Sequence, residues 1–585
     1  MAVENLITEH IDIWTSAIKT KSTSGRGSSK KLELYGVKKL RELILELAVR
    51  GKLVPQDAND EPVATLLKQN HIEQSRLTVE ENLKTKASQS ILDSEEYILV
   101  PETWGRIKLG NLAKFIDYRG KTPKKLSAGV RLITAKNVKF GYLSLQPEEF
   151  ISEAEYKTWM TRGFPRIGDI LFTPEAPLGN VAQVDLEEKF ALAQRAICLQ
   201  FHLSDISNYL RLFLMSPSFQ NLLSEKATGT TAKGIKASVL KELVVYIPPI
   251  EEQHRIVAKV DELMALCDQL EQQTEDSIEA HQVLVTTLLD TLTNSADADE
   301  LMQNWARISE HFDTLFTTEE NIDQLKQTIL QLAVMGKLVP QDPSDEPASE
   351  LLKRIAEEKA QLVKEKKIKK QKALPPISED EKPFELPSGW VWTHMDELFY
   401  VSGGLQKTPK RTPVSNHFPY LAVANVQRGR LELDELKRFE VTPEELEQYK
   451  LLAGDLMVVE GNGSENEIGR CAIWSEDVPD CLHQNHLIRC RPLIPALSFW
   501  VLNVLNSPLG INTMKSLAVT SSGLYNLSVG KIRGIFLPMP PLNEQKRIVS
   551  KVKELTSICD QLKAHLNESQ ATQLNLTDAI VEQAV

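Results

Sequence analysis

The chain has 585 residues, 42% hydrophobic, 25% charged and 6% aromatic, which excludes a disordered or fibrous protein and leaves room for roughly three or four domains. No apolar run approaches the roughly 18–20 residues that cross a bilayer. The start MAVENLITEHIDIW has acids where a signal peptide has basic residues. Six scattered cysteines (Cys198, Cys267, Cys471, Cys481, Cys490, Cys559) form no C-x-x-C pair, so a cytoplasmic protein with reduced thiols and no membrane partner is expected. The net charge of −12 is unevenly held. Residues 101–247 carry 20 basic and 14 acidic side chains, residues 386–538 carry 14 and 16, and ten basic residues from Arg106 to Lys139 meet one acid, Asp117. Overall acidity therefore does not exclude DNA.

An internal repeat organises the chain. After STSGRGSSKK at 22–31, which reads as a flexible loop, residues 40–68 recur at 325–353 with 19 of 29 positions identical; both copies contain GKLVPQD and DEP. Residues 248–270, beginning PPIEEQHRIVAKV, recur at 540–562 with 15 of 23 identical. Joining the termini closes these units into a cycle of two equal halves, which implies a pseudo-two-fold. The first unit begins as a short helix stopped at Gly51, and its second copy is expected to run on into KEKKIKKQK at 364–372, a lysine-rich, solvated helix end. The second unit reads as a long helix with acids in its first turn and an apolar seam. That seam is expected at Ile256, Val260, Leu263, Cys267, Leu270, Leu284 and Leu288, and in the copy at Ile548, Val552, Leu555, Cys559, Leu562, Leu566, Leu576 and Ile580. Two rods of roughly 60 Å are expected to pack together and hold the variable segments at a fixed distance; the alternative is that each helix packs only on its own domain.

The two variable segments read as one scaffold used twice. Each begins with a Trp (Trp104, Trp390), reaches K-T-P, then Asn-Val (NVKFGYL, NVQRGRL), then IGDILFT or AGDLMVVE, and closes with a Gly/Ser/Thr-rich stretch before a proline pair. A shared frame with different loop side chains suits two domains reading different targets. Lys and Arg supply phosphate contacts, Asn and Gln pair with adenine, and Arg pairs with guanine. On that chemistry the first domain's candidates are Lys121, Lys124, Lys125, Arg131, Lys136, Asn137, Gln194, Arg195, Thr230, Thr231 and Lys233. The second domain's are Lys407, Lys410, Arg411, Asn425, Gln427, Arg428, Gln484, Asn485, Ser521, Ser522 and Tyr525.

Catalytic readings fail on spacing. GKT at 120–122 lacks the P-loop glycine, since position 115 is Phe. No Pro-Pro-aromatic methyltransferase signature is present, and Asp169 with Glu187 and Lys189 only faintly resembles a nuclease core. Cys481, His483, His486 and Cys490 are the best metal candidates, yet they fall in one strand whose odd and even residues face opposite ways, so packing is expected and no metal.

The cyclic arrangement, the GKLVPQD…DEP units and the PP-x-x-EQ-x-RIV-x-KV helix starts resemble the DNA specificity subunits of type I restriction-modification systems, over essentially the whole chain. The resemblance implies an α+β fold: two similar target-recognition domains separated by an antiparallel pair of long coiled-coil helices. It implies a helical region at 1–100 pairing with the C-terminal helix, recognition domains at 101–250 and 386–540, a central helical region at 251–385 and a terminal helix at 541–585. It further implies a non-catalytic subunit that reads a split site in double-stranded DNA and docks two methyltransferase subunits and restriction/translocase subunits. No cofactor is bound by the subunit itself. The complex would use S-adenosylmethionine for adenine methylation, and ATP and magnesium for cleavage. A coiled-coil interaction scaffold with two protein-binding modules is the alternative.

Overall fold

The computed structural model describes residues 3–22, 30–80, 91–92, 95–118, 123–193, 195–229, 233–462, 467–521 and 524–585. Two compact units result: 1–20, 32–276 and 570–585 form the first, and 21–31 and 277–569 the second. Most of the 22–31 loop lies outside the described residues; strands Ile18–Ser22 and Lys30–Leu34 flank it.

In the first unit, helix Tyr35–Val49 buries Leu40, Leu43, Ile44 and Leu47, the 3–4 spacing of an amphipathic helix. It stops at Gly51, whose φ of 68° is left-handed and where a Cβ would lie 2.5 Å from the Pro101 ring. This helix touches both long helices: Arg41 pairs with Asp268 and Glu271 at 2.7 Å, and the Tyr35 hydroxyl donates to Asp578 at 2.7 Å. Glu46, buried on the same helix, accepts from the Ser218 amide at 3.0 Å and so fastens the recognition domain to it.

That domain hangs from a two-strand neck, Gly105–Lys108 antiparallel to Val244–Ile247. Beyond the neck lies an antiparallel sheet in the order Ala113–Asp117, Ile197–Phe201, Ile170–Pro174, Leu178–Gln183. A second sheet places Val130–Ile133 between Phe150–Ile151 and Phe190–Leu192, parallel to the latter. Ile116, Leu132, Leu171, Leu192 and Cys198 close the core between them.

The second unit repeats this plan. Helix Glu319–Val334 takes the place of Tyr35–Val49, its Lys326 paired with Asp560 and its Asp323 with Lys563 at 2.8 Å. The neck is Val391–His394 with Phe536–Met539. The antiparallel sheet runs Phe399–Gly403, Leu487–Pro492, Leu456–Val459, Cys471–Ile473, and the mixed sheet runs Lys437–Glu440, His417–Leu421, Leu482–His483 with the last pair parallel. Two domains of one strand order, joined to long helices, give the mixed fold expected from sequence.

The long helices are Ile250–Asn294 and Leu542–Ala584, 45 and 43 residues. Each unit contains the start of one and the end of the other. The expected seam is correct at Ile256, Val260, Leu263 and Cys267, but then slips: Val285 and Leu289 (3% exposed) are buried while Leu284 is 49% exposed. The second helix slips in part: Thr577 is buried and Leu576 exposed, while Ile580 is buried as expected. From Cys267 to Val285, and from Cys559 to Thr577, is 18 residues, five turns at about 3.6 residues each, so the buried stripe follows a straight helix rather than a strict heptad. A second correction concerns the lysine run. The helix carrying it ends at Lys364 and Lys366 is left-handed at φ 58°, because six lysines in nine residues repel one another along a helix face.

Candidate nucleic-acid interface

The motifs that repeat most faithfully build a clasp at the base of each recognition domain. Glu252 accepts from the Trp104 indole N–H at 3.1 Å, and Glu544 from Trp390 at 3.0 Å. Gln253 donates to the Pro248 carbonyl at 2.9 Å, and Gln545 to Pro540 at 2.8 Å. Arg255 forms a fork with Asp60 (2.9 and 2.6 Å), and Arg547 pairs with Asp345 at 2.7 Å. The EQ-x-R and DEP motifs therefore join the helix start, the neck tryptophan and the repeated turn. Burial pushes the Glu252 and Glu544 carboxyls above the usual glutamate range, and Arg255 holds Asp60 below that of aspartate.

Of the sequence candidates, Lys124, Lys125, Lys136, Arg195 and Lys233 are exposed in the first domain, and Lys407 and Lys410 in the second. Lys125 pairs with Glu149 at 2.8 Å and Arg195 with Glu175 at 3.2 Å, while Lys233 donates to Ser224. Such surface pairs exchange readily for phosphate. Arg131 and Arg411 are committed elsewhere: Arg131 bonds Glu188 (2.6 Å) and Glu148 across the mixed sheet, and Arg411 grips Glu445 through two nitrogens at 2.9 and 3.1 Å. Gln484 and Asn485 are half-buried, with their backbone amides bonded to Leu421 and Leu405, and Tyr525 is half-buried in the strand Leu524–Asn526. Lys121, Gln194, Thr230, Thr231, Ser522 and the Ser521 side chain lie outside the described residues.

Asn137 and Asn425 are a correction, because neither can read a base. Asn137 is buried; its Oδ1 accepts from the Thr134 amide at 3.0 Å and its Nδ2 donates to the Ser144 and Pro147 carbonyls at 3.1 and 3.2 Å. Asn425 does the same, accepting from Ala422 at 2.9 Å and donating to Glu432 and Glu435. The Asn-Val motif is the inner clamp of a hairpin whose tip is 139–142 in one domain and 427–430 in the other. Asn180 and Arg470, which sequence reasoning passed over, clamp that hairpin from the neighbouring strand. Their signal was the shared Gly before each, Gly179 and Gly469. Gln427 belongs to the same scaffold, accepting from Arg470 at 3.0 Å, and Arg428 is half-buried with a bond to the Ile468 carbonyl.

Asp169 and Asp455 are turn residues: each carboxylate accepts from the amide three residues earlier (Arg166 2.8 Å, Leu452 2.9 Å), and burial raises the Asp169 carboxyl. Cys481, His483 and Cys490 are buried in the second domain and His486 is exposed. His483 bonds the Tyr449 carbonyl at 3.2 Å and is pushed down to about 3 by burial beside Arg489. Among the described residues no group of three or more His, Cys, Asp or Glu side chains is placed to hold a metal ion, and no helix is long and apolar enough to cross a membrane.

Residues 101–280, the first recognition domain and the beginning of the first long helix, match the family described as type I restriction modification DNA specificity domain. The chain belongs to the specificity subunits of type I restriction enzymes. It is 40% identical to the type I restriction enzyme EcoAI specificity subunit and 39% to the EcoEI specificity subunit, both from Escherichia coli, over the full length of each pair. The HsdS subunit from Thermoanaerobacter tengcongensis aligns over 84% of this chain and 98% of its own, at 18% identity and a TM-score of 0.39. Family membership favours the specificity-subunit reading over the interaction scaffold.

Proposed function

We propose that this chain reads a bipartite site in double-stranded DNA, one half through residues 101–250 and the other through 386–540. Two methyltransferase subunits dock on its helical regions, and restriction/translocase subunits complete a cytoplasmic complex. The chemistry belongs to those partners: S-adenosylmethionine serves adenine methylation, ATP and magnesium serve cleavage, and this subunit supplies address rather than reaction. The observation that carries the reading is duplication with divergence. Two domains share strand order, neck and clasp, yet differ in the loop side chains. The ten basic residues between Arg106 and Lys139 give the first domain the charge that phosphate needs. The second domain's balance is acidic, which fits affinity drawn from polar contacts or partner subunits.

Replacing residues 101–247 with the same segment of a relative tests it. The positions of methylated adenines, mapped across the genome of a host carrying the complete system, should then change in one half of the recognised sequence and stay fixed in the other. A change in both halves, or in neither, refutes the assignment.

A further inference from the structure

The hairpin tips at 139–142 and 427–430 are one backbone built twice. The amide of the first residue donates to the carbonyl of the fourth in each: Lys139 to Tyr142 at 3.0 Å, Gln427 to Arg430 at 3.0 Å. The third residue is a left-handed glycine, Gly141 (φ 98°) or Gly429 (φ 76°), whose N–H donates to the adjacent strand at Val181 (2.8 Å) or Cys471 (2.9 Å). Asn137 and Asn425 clamp the hairpin from inside, and Asn180 and Arg470 from the sheet.

On this fixed frame the second and fourth positions change character. They are Phe140 and Tyr142 in the first domain, Arg428 and Arg430 in the second. Phe140 is 47% exposed and Tyr142 61%, so the domain's own core does not account for them. Arg430 is exposed, and its guanidinium pairs with the surface carboxylate of Glu432 at 3.0 Å. Two aromatic rings on an anchored turn present apolar area that a partner would cover favourably. Lys136, exposed at the base of the same hairpin, and Lys139 beside the rings suit a polyanion.

We propose that these tips are the variable readers of the two half-sites. Phe140 and Tyr142 make apolar contact with base edges or wedge at a base step, and Arg430 donates to guanine. The inference rests on the DNA reading above and assigns it to particular residues.

The test uses the complete complex with its methyltransferase subunits and duplexes carrying the parent's mapped site. Phe140→Ala with Tyr142→Ala should lower affinity for the cognate duplex by about tenfold or more, the loss of one or two base contacts. Affinity for a duplex lacking the first half-site should change less than about twofold. Grafting the second tip onto the first (Lys139→Gln, Phe140→Arg, Tyr142→Arg) keeps the glycine and both clamps, and should move the first half-site toward guanine without altering the second. Cognate affinity within about twofold of the parent, with an unchanged first half-site in the graft, overturns the inference while leaving the DNA reading intact. Equal loss on cognate and unrelated duplexes with unchanged half-sites overturns it too, since the tip would then be a general contact. A parent complex that binds no duplex sequence-specifically overturns both. Should the alanine variant melt early or fail to assemble, the graft decides, because its backbone demands are those the second domain already meets.

Discussion

Glu544 sits in the first turn of the second long helix, where the helix dipole favours a carboxylate, and its oxygen receives the Trp390 indole N–H. Removing the acceptor strands a buried donor, so Glu544→Ala is expected to lower the second unit's stability by roughly 1–3 kcal/mol. Glu544→Gln keeps an acceptor oxygen and should recover most of the loss in thermal melts of the full chain. His483 supplies a pH test. It is held neutral in the fold at about 3 and regains its ordinary value when unfolded, so the unfolded chain binds more protons below about pH 6.5. Stability should fall as pH drops from about 6.5 toward 4. His483→Gln should flatten that slope in melts read against pH, and an unchanged slope would count against the assignment.

The elements were legible to different depths. The duplicated units were readable because identity at matching offsets needs no three-dimensional knowledge, and they gave the repeated plan, the long helices and the paired recognition domains. In the distal half of the helix seam Leu284 and Leu576 were misphased by one residue while Ile580 held, since a heptad and a straight helix agree for about three turns and then part. A direct check is available: Leu289→Ala should cost roughly 2–5 kcal/mol and Leu284→Ala well under about 1 kcal/mol in chemical unfolding, whereas a strict heptad demands the reverse order. The candidate site was legible as a region and not as residues. Asn137 and Asn425 looked like base readers because an asparagine's donor and acceptor serve a turn as well as an adenine, and only the burial and the three backbone groups that each one clamps separate the two uses. Phe140 and Tyr142 escaped because an aromatic residue in a strand-rich segment reads as core until its exposure is known.

At the scale of the molecule, each long helix runs unbroken through residues belonging to both compact units. A seven-residue helical insertion after Asp276, matched by one after Glu568, lengthens each helix by about 10 Å while turning its face by only about 20°. We expect the preferred spacer between half-sites to change by up to about three base pairs, with both half-sites kept, in binding assays across a spacer series. Altered half-sites would instead separate spacing from these helices.

The neck carries a consequence for inheritance. Each recognition domain leaves and rejoins the helical frame through two strands lying side by side, Gly105–Lys108 with Val244–Ile247 and Val391–His394 with Phe536–Met539, and both junctions are sealed by a Trp–Glu bond. Two crossovers in the gene, at the tryptophan and at the proline pair, therefore transplant a reader whole. A population holding n first readers and m second readers could then address n × m sites, so the repertoire of addresses multiplies where the number of inherited parts merely adds.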